Sequence, residues 1–418
     1  MIQGWKLKTL GEIAEVQSGG TPLKSRKEYW LGDIPWYSSG ELNNTFTKAS
    51  KELITPKGLQ ESNAKLFPKG SLLIGMYDTA ALKMSILDRD AAFNQAIAGV
   101  KANENIDLKF ILFAIKYKRF EILNQRRGVR QKNLSLAKIK NIALPIPPLP
   151  EQKRIVAILE KGFEGIDRAI ANTEKNLANS RKLFESSLQF IFSNREKYWL
   201  RLQLSELLER KWITSHLDGN HGGDYPKKDE FVDSGVPYLS ANCLKNESID
   251  MSLAKYLTPE RAGSLRKGIA QNNDVLFAHN ATVGPVAVLR TNEIKIILST
   301  SLTYYRCDPQ FIIPEYLALY MRSNEFKSQY EAVMRQSTRN QVPITKQRTF
   351  YHIVPPIEEQ QKIANHLDDL FVETQRLEII YRQKIVALNE LKQSILQKAF
   401  TGELTADTSK TVKEKIAA

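Results

Sequence analysis

A chain of 418 residues is too long for one ordinary hydrophobic core, so two or more domains are expected. Apolar residues at 42% and charged residues at 25% are those of a globular protein, and no apolar run approaches the ~18 residues that a membrane-spanning helix needs. The net charge of +14 favours polyanionic partners, and two cysteines, Cys243 and Cys307, are too few for a disulfide framework.

In chain order, the opening "MIQGWKLKTLGE" has no apolar signal-peptide core, so a cytoplasmic location with no membrane partner is expected. Lys24, Arg26 and Lys27 follow the Gly19-Gly20 pair and are read as phosphate anchors. Short β-like runs come next, "SLLIGM", "KMSILD" and "AIAGVKA". Tyr77, Asp78 and Thr79 stand at the end of the first of these runs, as base-edge readers or as tight-turn residues. Helical spacing of Phe110, Phe113, Ala114 and Tyr117 predicts a helix over Asp107 to Gln125. A polar cluster follows, Arg126, Arg127, Arg130, Lys132 and Asn133, of types that contact guanine and adenine edges or phosphate. Then "PPLPEQKRI" breaks a strand and starts a helix. Its apolar positions Leu159, Phe163, Ile166, Ile170, Thr173, Leu177, Ser180 and Phe184 alternate by four and three, as in a coiled-coil seam.

The order then repeats. "WKLKTLGEI" (Trp5 to Ile13) returns as "WLRLQLSEL" (Trp199 to Leu207), and "IPWYSSGELNN" (Ile34 to Asn44) as "VPYLSANCLKN" (Val236 to Asn246). Between them, "HLDGNHGGD" gathers His216, Asp218, His221 and Asp224. Its glycines, with no Cys or distant His completing a site, favour a polar or DNA-facing loop over a metal site. Lys227 and Lys228 take the place of phosphate anchors. The runs "DVLFAH", "PVAVLR" and "IKIILSTSLTYY" follow, with His279, Asn280, Ala281 and Thr282 at the matching strand end. A helix over Pro314 to Gln336 leads to Arg335, Arg339, Asn340 and Gln341. "PPIEEQQKI" then opens a second helix with a looser seam through Ile363, Leu367, Leu370, Leu377, Tyr381, Ile385, Leu388 and Ile395.

A period this long is a duplicated domain and not a solenoid. The predicted architecture is α+β, with two similar tandem globular α/β units, each followed by a long helix. A helix leaving one unit and a helix leaving the other can pair along their seams only as an antiparallel coiled coil. The expected boundaries are 1–147 for the first unit, 148–196 for its helix, 197–353 for the second unit, 354–404 for its helix, and 405–418 for a flexible tail.

This pattern resembles the specificity subunit of type I restriction–modification systems. The resemblance spans roughly residues 5–404. It is carried by "PLPEQKRIVAILEKGFEGIDRAI", "PPIEEQQKIANHLDDLF" and "LNELKQSILQKAFTGEL" in the helices, and by "SGGTP", "FNQAI", "LDGNHGGDYP" and "HNATVGPVAVL" in the units. It implies two target-recognition domains, each reading one half of a bipartite site in double-stranded DNA. It also implies a helical spacer that sets the gap and docks two methyltransferase subunits, with restriction subunits in the full complex. No cofactor would be bound by this chain: the methyltransferase partners use S-adenosylmethionine, and the restriction subunits use ATP and Mg.

The residues themselves argue against catalysis by this chain. Both Pro-Pro pairs lack the Asn/Asp and aromatic flanks of an adenine-N6 methyltransferase, standing as Ile146-Pro-Pro-Leu149 and Val354-Pro-Pro-Ile357. There is no glycine-rich cofactor loop and no phosphate loop. The alternatives are a coiled-coil scaffold that binds only protein, and the specificity subunit of a related bipartite-site enzyme.

Overall fold

The computed structural model describes residues 4–124, 134–245, 248–336 and 340–405. The chain divides into two compact units, Met1–Glu174 with Gln383–Ala418, and Lys175–Arg382.

In the first unit, strand Lys6–Thr9 pairs antiparallel with Ala143–Ile146. The chain then turns into a short helix whose start is closed by Glu12, which accepts from the Thr9 amide at 2.6 Å. A four-stranded sheet runs in the order Ala14–Ser18, Ile97–Ala102, Leu72–Gly75, Met84–Ile86. A second sheet places Trp30–Tyr37 between Glu52–Ile54 and Ala92–Phe93, the last pair being parallel. The helix Leu108–Asn124 packs Phe110, Ile111, Ala114 and Ile115 into the main core.

The second unit repeats this plan. Leu200–Gln203 pairs with Tyr351–Val354, and the four-stranded sheet runs Ile213–Asp218, Leu302–Cys307, Val275–Asn280, Thr282–Val288. Its other sheet has five strands, with Val236–Leu239 beside a parallel Ile296–Leu298. Two expectations are corrected here. The run "IKIILSTSLTYY" forms two strands, Ile296–Leu298 and Leu302–Cys307, one in each sheet. The helix expected over Pro314 to Gln336 is two helices, Pro314–Arg322 and Asn324–Arg335. Between them Ser323 is extended (ψ 157°), and its hydroxyl accepts from the Phe326 amide at 3.4 Å.

The long helices run Leu149–Ser193 and Ile357–Phe400. In the first unit, Ile155, Leu159, Phe163 and Ile166 share a core with Leu396, Ala399 and Phe400, and Lys392 binds Asp167. In the second unit, Phe184, Leu188 and Phe192 share a core with Ala364 and Leu367, and Arg181 meets Glu378 at 3.2 Å. The start of each helix thus packs on the end of the other, as an antiparallel pair must. Thr173 and Ser180, polar residues at seam positions, are buried and satisfied by Ala169 and Leu177 carbonyls one turn back. Among the described residues no helix is long and apolar enough to cross a membrane.

The repeated Pro-Pro motif has a structural reason beyond helix initiation. Gln152, buried at the first helix start, accepts from the Asp107 amide (2.9 Å) and donates to the Pro147 carbonyl (2.8 Å). Gln360 does the same with the Ile313 amide (2.9 Å) and the Pro355 carbonyl (2.9 Å). One glutamine in each unit therefore locks the long helix to the segment that begins the domain helix.

Candidate nucleic-acid interface

One structural device occurs in both units. A central sheet strand ends, and the segment following the polar loop is hydrogen-bonded to that end. In the second unit the Val342 amide donates to the His279 carbonyl at 2.8 Å. In the first unit the Leu134 amide donates to the Met76 carbonyl, also at 2.8 Å. His279 and Met76 occupy equivalent places, as the strand registers Phe277↔Thr303 and Ile74↔Ala98 establish.

The second unit shows the device fully. Val275–Asn280 and Thr282–Val288 form a hairpin that turns on the single residue Ala281, at φ +64°. Asn340 grips that turn twice, its carbonyl accepting from the Ala281 amide (3.0 Å) and its Nδ2 donating to the Ala281 carbonyl (2.6 Å). Gln341 forms a bridge with Asn280. Asn280, Thr282, Asn340 and Gln341 are thus brought to one edge, where amides and a hydroxyl could meet base edges. Thr282 and Asn340 are exposed, and Asn280 and Gln341 are half-buried. Arg335 is exposed and lies 3.9 Å from Glu331 on its own helix. Arg339 lies outside the described residues.

His279 does not belong with them. It is 1% exposed, and its Nδ1 donates to the Val342 carbonyl at 2.9 Å. The strand alternation continues through it and turns its ring inward, so it lies beneath the edge that carries Asn280, Thr282, Asn340 and Gln341. Burial holds its pKa below the usual histidine range.

In the first unit, Tyr77 is half-buried against the core and Thr79 is exposed. The Asp78 side chain lies outside the described residues, as do Arg126, Arg127, Arg130, Lys132 and Asn133. That cluster ends where Leu134 is tied to Met76, next to Tyr77.

The proposed phosphate anchors divide by environment. Lys24 pairs with Glu52 and lies 3.6 Å over the Trp30 ring, which stands edge-on to Trp36. Arg26 donates to the Tyr29 hydroxyl at 2.8 Å and lies 3.6 Å from Glu61. Their charges are partly compensated within the unit. Lys27, Lys227 and Lys228 are exposed. Of the neighbouring glycines, Gly19 is a close-approach position, where a Cβ would stand 2.0 Å from the Phe93 carbonyl, whereas Gly222 is open but held at φ +63°.

Sequence reasoning did not single out Gln347, which is fully buried in the second unit. Its Oε1 accepts from His216 Nε2 (3.1 Å), Thr303 Oγ1 (3.0 Å) and the Tyr305 hydroxyl (3.1 Å). Burial pushes His216 down to about 3, so its ring is neutral and within the core. His221 meets Asp218 at 2.7 Å. Among the described residues no group of three or more His, Cys, Asp or Glu side chains is placed to hold a metal ion.

A family model described as the type I restriction modification DNA specificity domain matches residues 2–178 and 215–385. The chain is 31% identical over 199 residues to the Escherichia coli EcoR124I/EcoR124II specificity subunit, an alignment covering 44% of this chain and about half (48%) of that protein. It is 21% identical over 430 aligned positions to the MjaIX specificity subunit of Methanocaldococcus jannaschii, covering 96% and 94% of the two chains. Among solved structures, a chain of a type I restriction–modification system superposes with a TM-score of 0.75 at 17% identity, covering 96% of this chain and 99% of that one. The HsdS subunit of Thermoanaerobacter tengcongensis superposes at 0.61 and 18% identity, covering 97% and 98%. At these identities the superpositions establish the fold.

Proposed function

The chain belongs to the type I restriction modification DNA specificity family, and from that premise we propose that it reads a bipartite site in double-stranded DNA without catalysing a reaction itself. Each unit reads one half-site. The paired helices set the gap between the halves and dock two methyltransferase subunits, which bring S-adenosylmethionine; restriction subunits, using ATP and Mg, join these in the full complex. The chain works in the cytoplasm and binds no cofactor of its own.

The observation that carries this reading is the repeated tether, Leu134 to Met76 and Val342 to His279. In each unit it ties the residue that follows an Arg/Asn/Gln-rich stretch of sequence to the end of a sheet strand. Two like units suit the approximate twofold symmetry of a duplex. The net charge of +14 supplies the non-specific attraction to phosphate.

The test is reconstitution. The purified chain alone transfers no methyl group and cuts no DNA. With methyltransferase subunits and S-adenosylmethionine it directs adenine methylation to one bipartite sequence. Methyl transfer by the chain alone, with no other subunit present, would overturn the proposal.

A further inference from the structure

The two units share a backbone plan but differ at six buried positions. His216 faces Tyr305 in the second unit where Val16 faces Val100 in the first. Thr303 stands where Ala98 does, His279 where Met76 does, and His352 where Leu144 does. Gln347 takes the place of Ile139, three residues along the equivalent short helix in each unit. All six first-unit residues are buried and apolar, while all six second-unit residues are buried and polar or aromatic with a polar tip. The first unit therefore shows that this fold closes with an apolar core at these places. Replacing hydrogen-bonded buried partners by apolar groups of similar shape can be nearly neutral or stabilising. The presence of a buried polar network in one unit alone calls for a role that the fold itself does not require.

The hydrogen bonds point to that role. Gln347 Nε2 donates to the Val342 carbonyl at 3.1 Å, and His279 Nδ1 donates to the same oxygen at 2.9 Å. With Oε1 accepting from His216, Thr303 and Tyr305, the Gln347 amide has one allowed orientation. Val342 is thus held at its carbonyl by two buried donors and at its amide by the His279 carbonyl. The two residues just before it are Gln341 and Asn340, which lie against Asn280 and Ala281. In the first unit the equivalent Leu134 has the amide tether, and Ile139 offers no donor to its carbonyl. Reading a base edge needs side chains held to within about half an ångström, and such placement is achieved by directional bonds behind the contacting residues.

We propose that Gln347, together with His279, is a positioning element for the second unit's reading edge and sets the stringency of that half-site alone. This rests on the reading that Asn280, Thr282, Asn340 and Gln341 meet DNA. The experiment uses the chain in complex with its methyltransferase subunits and sequences the methylated adenines in a random DNA pool. The variants His279→Met and Gln347→Ile, and the two combined, introduce the side chains that the first unit carries. The double variant is expected to raise methylation at sites with one wrong base in the second half-site by ~10-fold, the scale of one well-aligned base contact, with the first half-site unchanged. A folded double variant that reads the second half-site as strictly as the unmodified chain overturns the proposal. A merely structural role would lower the melting temperature and total methylation without changing which bases are accepted. If the double variant does not fold, the single variants His279→Met and Gln347→Ile are read in its place, and an unrelaxed second half-site in both overturns the proposal equally. Asn340→Ala and Thr282→Ala, made in parallel, separate the two failures. If they leave the second half-site untouched, the reading beneath the proposal is wrong. If they change it while the network variants do not, the positioning role alone is wrong.

Discussion

Acid should destabilise one unit and spare the other. All five histidines, at 216, 221, 279, 352 and 366, fall within Lys175–Arg382. Burial is the main cause that holds His216 down to about 3 and His352 down to about 4, and it lowers His279 as well. In the unfolded chain these groups return to about 6.5. Above that pH neither state binds the proton, and the contribution is constant. Below it the unfolded chain takes up protons that the folded unit refuses, so stability falls with pH until the folded values are approached. At pH 5.0 the difference is about 1.5 pH units, or about 2 kcal/mol for each of His216 and His352, and about 4 kcal/mol together. That is a large share of the 5–15 kcal/mol typical of a domain. The assay is urea unfolding at pH 7.5 and 5.0, followed by hydrogen exchange resolved into peptides of each unit. With a slope of about 2 kcal/mol per molar urea, the second unit's midpoint should fall by about 2 M. The first unit should move far less. His216→Val with His352→Leu, the first unit's residues at these positions, should flatten the dependence. Equal shifts in both units, or none in the second, would refute the reasoning.

Two further substitutions probe the locks that the fold depends on. Gln152→Ala leaves the Asp107 amide and Pro147 carbonyl without their buried partner, which should cost about 2–4 kcal/mol in urea unfolding, seen in first-unit peptides. Gln360→Ala should do the same to the second unit through Ile313 and Pro355. Arg306 makes a two-pronged contact with Asp274 (2.9 and 2.8 Å), whose side chain is almost wholly buried. Arg306→Ala should cost about 3–5 kcal/mol, because it leaves an uncompensated buried carboxylate. Arg306→Lys, which cannot form the fork, should recover only part of this when melted alongside it.

The sequence disclosed what depends on near neighbours. The words "WKLKTLGEI" and "WLRLQLSEL" hold a strand and the acidic residue that closes the next helix, Glu12 or Glu206, all within nine residues. The seam from Leu159 to Phe184 follows helical spacing, and its buried pattern is local to one helix. What stayed hidden depends on partners far along the chain. The Gln152 bond to Asp107 spans 45 residues, and Gln347 meets His216 across 131. No pattern within a short window could reveal either. In the sequence His279 reads as a base-edge residue because it is polar and stands beside Asn280. One further step of strand alternation buries it, and the place where a strand ends is not visible in the word "FAHNAT". The break at Ser323 is invisible in the sequence because apolar spacing runs on through Phe326 and Tyr330, both buried after the turn.

The central claim is that each unit reads its own half of one DNA site. The direct measurement replaces residues 1–147 with the matching segment of a relative of different specificity. The hybrid is assembled with methyltransferase subunits, and the methylated adenines are sequenced. The account predicts that one half-site is exchanged for the relative's, while the other half-site and the gap between them are kept. A hybrid that methylates DNA but changes both halves together, or neither, would contradict it.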